Sequence, residues 1–264
     1  VLLSAADLRF GYTRDARVIE GVSLDIGAGD IVGLLGPNGS GKTTLLRLLA
    51  GALTADAGVV RLDGAEIPRV PRRTLAQRIA MVPQETSLAF DYTVLEIVLM
   101  GRYPHLGAFE VEGPNDLAIA MHALEATGTA AFADRPFRTL SGGEKQRVVI
   151  ASALAQLDAG ADHAMAQKLL MLDEPTASLD LKYQFEIGAL LRRLHDGSGL
   201  TILLSTHDLR FAASLCTRVV LLSAGRILAQ GAPRDVLTAE LVSRLFDVPA
   251  ELAAPILQSG GHVR

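Results

Sequence analysis

The chain has 264 residues, 49% of them hydrophobic and 20% charged, enough to bury the core of one large α/β domain. A net charge of −4 excludes the basic footprint of a nucleic-acid or anionic-membrane surface, and a single cysteine, Cys216, excludes an internal disulfide. No apolar run approaches the ~18 residues that cross a bilayer, and the first residues lack a secretory signal's basic region and apolar core. The chain is therefore expected to be soluble and cytoplasmic, with Cys216 a buried structural thiol.

The first segments, LRFGY, VSLDI and IVGLL, alternate or run apolar between Gly and Asp turns and predict a β-rich N-terminal part. GPNGSGKT follows at residues 36–43 and fits the loop G-x-x-x-x-G-K-[ST] at every fixed position. The apolar IVGLL before it reads as a buried parallel strand, and the leucines of TTLLRLLAG after it have helical spacing. Strand, glycine loop and helix is the context that supports a triphosphate site. Gly36, Gly39 and Gly41 let backbone N–H groups turn inward, and the following helix aims its positive end at the same anion. Lys42 would reach the β- and γ-phosphates, and the Thr43 hydroxyl would hold Mg²⁺.

Short strands are predicted at residues 58–62 and 79–82, and the cluster Arg69, Arg72, Arg73 and Arg78 reads as a solvated helix face. From Gln84 to about Leu140 the pattern turns helical, in TVLEIVLMGR and NDLAIAMHALEATG. Then come helix GEKQRVVIASALAQL, buried strand LLMLDEP, helix YQFEIGALLRRLHDG and buried strand LTILLSTHD, an alternation that predicts a parallel sheet covered by helices. Residues 238–248 read as a last short helix, and SGGHVR is expected to fray.

LLMLDEP ends an apolar strand in two acids, at the edge where open α/β sheets bind ligands. Asp173 is then available to Mg²⁺ and Glu174 to polarise a water. An acidic pair there could also cap a turn, but the phosphate loop upstream favours the chemical role. His207 ends a second apolar strand, and its type leaves a structural and a catalytic role both open. In LSGGEKQR, Ser141 and the N–H groups of Gly142 and Gly143 open a helix as a second anion-binding terminus, with Glu144 next. One nucleotide hardly needs two such termini from one chain. A two-fold homodimer, each phosphate loop facing the serine–glycine helix of the other copy, explains the pair.

The ordered set GPNGSGKT, Gln84, LSGGE, LLMLDEP, SLD at residues 178–180 and His207 resembles the nucleotide-binding subunit of an ATP-binding cassette (ABC) transporter across essentially the whole chain. The resemblance implies an α/β fold: a P-loop NTPase core with a mainly parallel sheet, an N-terminal antiparallel β-subdomain and a helical subdomain at about residues 85–150, together one domain over residues 1–264. It implies ATP and Mg²⁺. It gives Gly36, Pro37, Asn38, Gly39, Ser40, Gly41, Lys42, Thr43 and Thr44 to the phosphates, and Tyr12 to the adenine. Ser141, Gly142, Gly143, Glu144 and Asp180 would meet the opposite subunit or its nucleotide. Thr43, Gln84 and Asp173 would serve the metal, with Glu174, His207 and Gln84 in hydrolysis. Partners implied are a second copy, a transmembrane permease and an external substrate-binding protein, placing the chain at the cytoplasmic face of the inner membrane. No nucleic-acid partner is implied.

TVLEIVLMGRYPHLG and the segment from THDLRFAA onward are similar to importers of metal chelates, namely iron-siderophores, haem and cobalamin. An ATPase on the cytoplasmic face need not touch the cargo, so Tyr103 and His105 are not read as metal or haem ligands. Departures are LSGGE for the common LSGGQ, exchange of Ala177 and Ser178 in the usual SALD loop, and a longer link, DAGADHAMAQ at residues 158–167, similar to haem-importing members. Two other readings stand beside the importer. One is a soluble cassette ATPase in assembly, for example of iron–sulfur clusters. The other is a regulatory module without turnover, disfavoured by Glu174 and His207.

Overall fold

A computed structural model describes residues 1–13, 16–86, 90–158, 167–177, 179–249 and 251. Ser178, most of the 158–167 link and the tail expected to fray lie outside the described residues. In chain order the elements are β1 (Leu3–Thr13), β2 (Ala16–Ile26), β3 (Ile31–Leu35), α1 (Lys42–Leu49), β4 (Ala57–Leu62), β5 (Ala65–Glu66), α2 (Arg72–Arg78) and β6 (Ile79–Val82). There follow α3 (Val94–Met100), α4 (Pro114–Ala126), α5 (Gly142–Leu157), β7 (Leu169–Asp173) and α6 (Leu181–Ser198). Last come β8 (Thr201–Thr206), α7 (Leu209–Leu215), β9 (Arg218–Ser223), β10 (Arg226–Gly231), α8 (Pro233–Val236) and α9 (Ala239–Phe246). They fall into two compact units, Val1–Arg69 with Leu203–Arg264, and Val70–Ile202.

In the first unit β1 pairs antiparallel with β2 and β4, giving the order β2-β1-β4-β5. Leu3, Ala5, Leu8 and Phe10 of β1 are buried, so the buried positions change from odd to even along one strand. The register shift between Ala5 and Leu8, with Asp7 at φ 46°, is the cause: an extra residue in a strand turns the following side chains to the other face. The same unit has the strand order β10-β9-β3-β8. β3 runs parallel to β9, with Val32 opposite Arg218 and Leu35 opposite Leu221. Every residue of β3 is buried, as an unbroken apolar run requires when a parallel strand is covered on both faces. Cys216 is buried beside it, as expected.

In the second unit β6 and β7 pair in parallel, from Ile79 opposite Leu169 to Val82 opposite Leu172. α5 packs against α3 and α4. α3 starts at Thr93 with a capping box, in which Glu96 N–H donates to Thr93 Oγ1 and Thr93 N–H donates to Glu96 Oε2 at 2.7 Å. α2 fully buries no residue, its Leu75 and Ala76 being half-buried against α5. Side-chain hydrogen bonds add to its tether: Gln156 of α5 donates to the Ala76 and Ile79 carbonyls, and Lys168 donates to that of Gln77. Arg69, Arg72 and Arg73 are exposed, as the reading of a solvated face expects. Arg73 also donates to the carbonyls of Pro104 and His105, and the half-buried Arg78 to that of Gln167.

Arg102 is one of the buried charges of this unit, 2% exposed. Its guanidinium donates to Asp116 Oδ1 at 2.9 Å near the start of α4, and to the carbonyls of Ala155 and Asp158 at the end of α5. These bonds answer the unpaired carbonyls of a helix C-terminus. Asp116 is pushed up by burial, but the hydrogen bonds from Arg102 and the Gly113 N–H and the positive charge of Arg102 outweigh this, holding its carboxyl below the usual value. Arg102→Ala should therefore lower stability by about 3 kcal/mol, the cost of stranding one member of a buried pair. A depressed carboxyl contributes its stabilisation above its unfolded pKa and loses it as pH falls through the folded one. The gap between wild type and variant should narrow below the ordinary value of 3.8, and denaturant unfolding at neutral and acid pH measures both parts. His105 is pushed below its ordinary value chiefly by burial, and its Nε2 donates to the Gln156 carbonyl at 2.8 Å. Among the described residues no group of three or more His, Cys, Asp or Glu is placed to hold a metal ion.

Candidate nucleotide site

The first unit carries the phosphate loop. β3 runs into Gly36, and α1 starts at Lys42 with Gly41 as its N-cap. Gly41 has φ 104° and Gly39 φ 80°, conformations that L side chains adopt only at a cost. Gly36 is required for space instead: a Cβ there would stand 2.2 Å from the Leu222 carbonyl oxygen of β9. Ser40 is locked between Pro37, whose carbonyl accepts from Ser40 N–H, and Gly225, whose N–H donates to the Ser40 carbonyl. Its Oγ is buried and has no hydrogen-bond partner among the described residues. Lys42 is buried, and its Nζ donates to the carbonyls of Gly36 at 2.9 Å and Pro37 at 3.1 Å. Its ammonium thus lies across the concave side of the loop.

Two further residues belong to this unit. Tyr12 is 57% exposed at the end of β1. Its ring meets Phe10 edge-on with centroids 5.0 Å apart, and its hydroxyl lies 3.3 Å from Thr44 Oγ1 on α1. The structure therefore joins Tyr12 to the loop's helix, a contact that spacing alone does not reveal. Thr43 is half-buried in the first turn of α1. His207 is exposed directly after β8, the sheet neighbour of the β3 strand that feeds the loop.

The second unit carries the remaining candidates. Because β6 and β7 are parallel with Val82 opposite Leu172, Gln84 and Glu174 leave the same sheet edge two residues past that pair. Gln84 is exposed, Asp173 is 2% exposed and Glu174 is half-buried. Glu174 has φ 46°, the left-handed region, and its carbonyl accepts from Ala177 N–H at 3.0 Å. A non-glycine residue held there is strained by about 1–3 kcal/mol, and such residues cluster at functional sites. Nothing in the composition of LLMLDEP announces that strain.

Ser141 and Asp180 are the N-caps of α5 and α6 and are both exposed. Ser141 closes a capping box with Glu144: Glu144 N–H donates to Ser141 Oγ at 3.4 Å and Ser141 N–H donates to Glu144 Oε2 at 2.7 Å. Those bonds, the backbone one first, hold the Glu144 carboxyl below its usual value. Glu144 therefore serves its own helix, while the first-turn N–H groups of Gly142 and Gly143 have no intrahelical acceptor. Asp180 makes no side-chain capping bond. The sequence reading missed Tyr183, whose ring covers Gly143; its only signal is a position three residues after Asp180.

These residues fit a nucleotide on the structure's own terms. The loop offers a glycine-built cradle, a buried hydroxyl without a partner and a helix N-terminus, the combination that receives phosphates. Thr43 in the first unit, and Gln84 and Asp173 in the second, each carry a side-chain oxygen of the kind that Mg²⁺ takes.

The ABC transporter family profile matches residues 19–177. The cobalamin import ATP-binding protein BtuD of Halobacterium salinarum is 41% identical over 88% of this chain, which spans only 55% of that relative's length. The hemin import ATP-binding protein HmuV of Myxococcus xanthus is 41% identical over 89% of this chain and 86% of its own. A solved structure described as a metal-chelate type ABC transporter in an inward-facing conformation superposes with a TM-score of 0.81 at 34% identity, over 94% of this chain and 90% of that one. By sequence and by fold, this chain belongs to the ABC transporter family and has the ABC ATPase fold.

Proposed function

We propose that this chain is the ATP-hydrolysing subunit of an importer that takes up a metal chelate such as haem, cobalamin or an iron-siderophore. The observation that carries the reading is a complete phosphate loop and a strained glutamate at a sheet edge in a chain 41% identical to hemin and cobalamin import ATP-binding proteins. Lys42 and the loop N–H groups hold the triphosphate, and Tyr12 stacks on the base. Thr43, Asp173 and Gln84 hold Mg²⁺, which supplies charge neutralisation on the phosphate oxygens. Glu174 accepts a proton from the water that attacks the γ-phosphorus, and His207 hydrogen-bonds a γ-phosphate oxygen. The bond to the bridging oxygen breaks, leaving ADP and phosphate.

Two copies form the working unit, with Ser141, Gly142, Gly143 and Asp180 of one facing the phosphate loop of the other. Closure of that dimer favours one orientation of a transmembrane permease, because a nucleotide shifts an equilibrium only through differential contacts. Gln84 and the helical part of the second unit carry the coupling. An external binding protein delivers cargo. Among the described residues no helix is long and apolar enough to cross a membrane. On this reading the chain docks on the permease at the cytoplasmic face, as an importer's ATPase subunit must to use ATP. The test is purification of the tagged chain from its native membrane with identification of what accompanies it, followed by ATPase assays of the complex with each class of chelate. A multi-span permease and hydrolysis stimulated by one metal chelate is the expected result. Full ATPase activity with no associated membrane protein would instead identify a soluble cassette ATPase.

A further inference from the structure

Gly143 leaves no room for a side chain, and the reason lies within its own unit. A Cβ built there would stand 2.3 Å from Cδ1 and 2.6 Å from Cγ of Tyr183 on α6. Cγ is the root of the ring rather than its far end, so the ring cannot yield without turning the whole side chain. Beside it, a Cβ at Gly142 would meet Leu179 Cδ2 at 3.4 Å. Further along the same helices, Arg147 Nη1 donates to Glu186 Oε2 at 2.6 Å. Gly143 and Arg147 are four residues apart on α5, and Tyr183 and Glu186 three apart on α6, so each pair shares one helix face. Lys182 Nζ stands 5.8 Å from the Tyr183 ring centroid and 3.9 Å from Glu186, adding charge to the same seam.

We infer that Tyr183 is a positioning residue: its ring is the spacer between the first turns of α5 and α6, setting where the Ser141–Gly143 turn is displayed relative to Asp180. Both N-caps are exposed, and a seam of one aromatic ring and one ion pair makes them a single rigid presenting edge. The inference rests on the proposed reading that the Ser141 turn meets a phosphate in catalysis. On that reading glycine at 143 has two competing explanations, close approach of the phosphate and close approach of Tyr183. They predict different double variants.

The experiment measures kcat, KM and ATP affinity of the purified chain for Gly143→Ala, Tyr183→Ala, Tyr183→Phe and the Gly143→Ala/Tyr183→Ala double variant, with thermal unfolding of each. Gly143→Ala is expected to lower kcat about 100-fold, the scale of a ~1 Å misplacement, with ATP affinity unchanged because the Lys42 loop is untouched. Tyr183→Phe keeps the ring and should keep kcat. The double variant has room for the new methyl group and should regain about tenfold in kcat over Gly143→Ala, a rescue that a phosphate-approach requirement cannot produce. A double variant as inactive as Gly143→Ala, although folded, would overturn the inference. If Gly143→Ala does not fold, Tyr183→Ala decides alone: a fall in kcat at unchanged ATP affinity supports the positioning role, and an unchanged kcat refutes it. Absence of hydrolysis by the unsubstituted chain, by contrast, would refute the underlying reading.

Discussion

Glu174→Gln is expected to bind ATP with near-normal affinity while its steady-state hydrolysis falls by about 10²–10⁴-fold, the range that a positioned general base contributes. The amide has the shape of the carboxylate but cannot take the attacking water's proton. The substitution leaves Asp173 at the end of β7 and the Glu174 carbonyl bond from Ala177 N–H in place. Because φ at position 174 is 46°, the backbone there already carries strain that glutamine would inherit almost unchanged. A loss of activity could then not be assigned to unfolding, and equal melting temperatures would show it. With binding intact and hydrolysis blocked, the closed dimer should accumulate, visible as a doubled mass in ATP by light scattering. Near-normal turnover would remove Glu174 from the catalytic role.

Lys42→Ala is expected to act one step earlier, on binding itself. The ammonium is buried and held by the Gly36 and Pro37 carbonyls, so little freedom is lost when phosphate oxygens approach it. Hydrogen bonds to charged groups contribute about 1.5–3 kcal/mol, which corresponds to a rise in Kd of roughly 10- to 150-fold. Without the lysine the two loop carbonyls also lose a donor, and the nucleotide-free chain should lose about 1–2 kcal/mol of stability. Equilibrium binding of a fluorescent ATP analogue checks the first effect and denaturant unfolding the second. Unchanged affinity would contradict the loop assignment. Together the two variants separate binding from turnover, since Lys42 and Glu174 fail at different measurements.

The features legible in the sequence are those whose cause is local. IVGLL had to be a covered strand because it has no polar face, and all of β3 is buried. Thr93 with Glu96 and Ser141 with Glu144 show the capping pattern three residues apart, and both boxes form. The phosphate loop was readable because its glycines answer a backbone requirement, met at Gly39 and Gly41. The exposure of Arg69, Arg72 and Arg73 was legible, but the partners of Arg73 were not: nothing local to α2 names the Pro104 and His105 carbonyls to which it donates.

The sequence by itself determined the family, the alternation of strands and helices, the glycine loop between β3 and α1 and the acids at the end of β7. Each of these is a constraint on neighbours within a few residues, or on residue type at fixed spacing. Only the tertiary structure decided the left-handed backbone at Glu174, the contact of Tyr12 with Thr44, the buried Arg102 that ties α4 to the end of α5, and the Tyr183 ring over Gly143. The physical reason is common to all four. They depend on close approach or strain between residues that a one-dimensional pattern treats as independent, and packing alone brings them within a few ångströms.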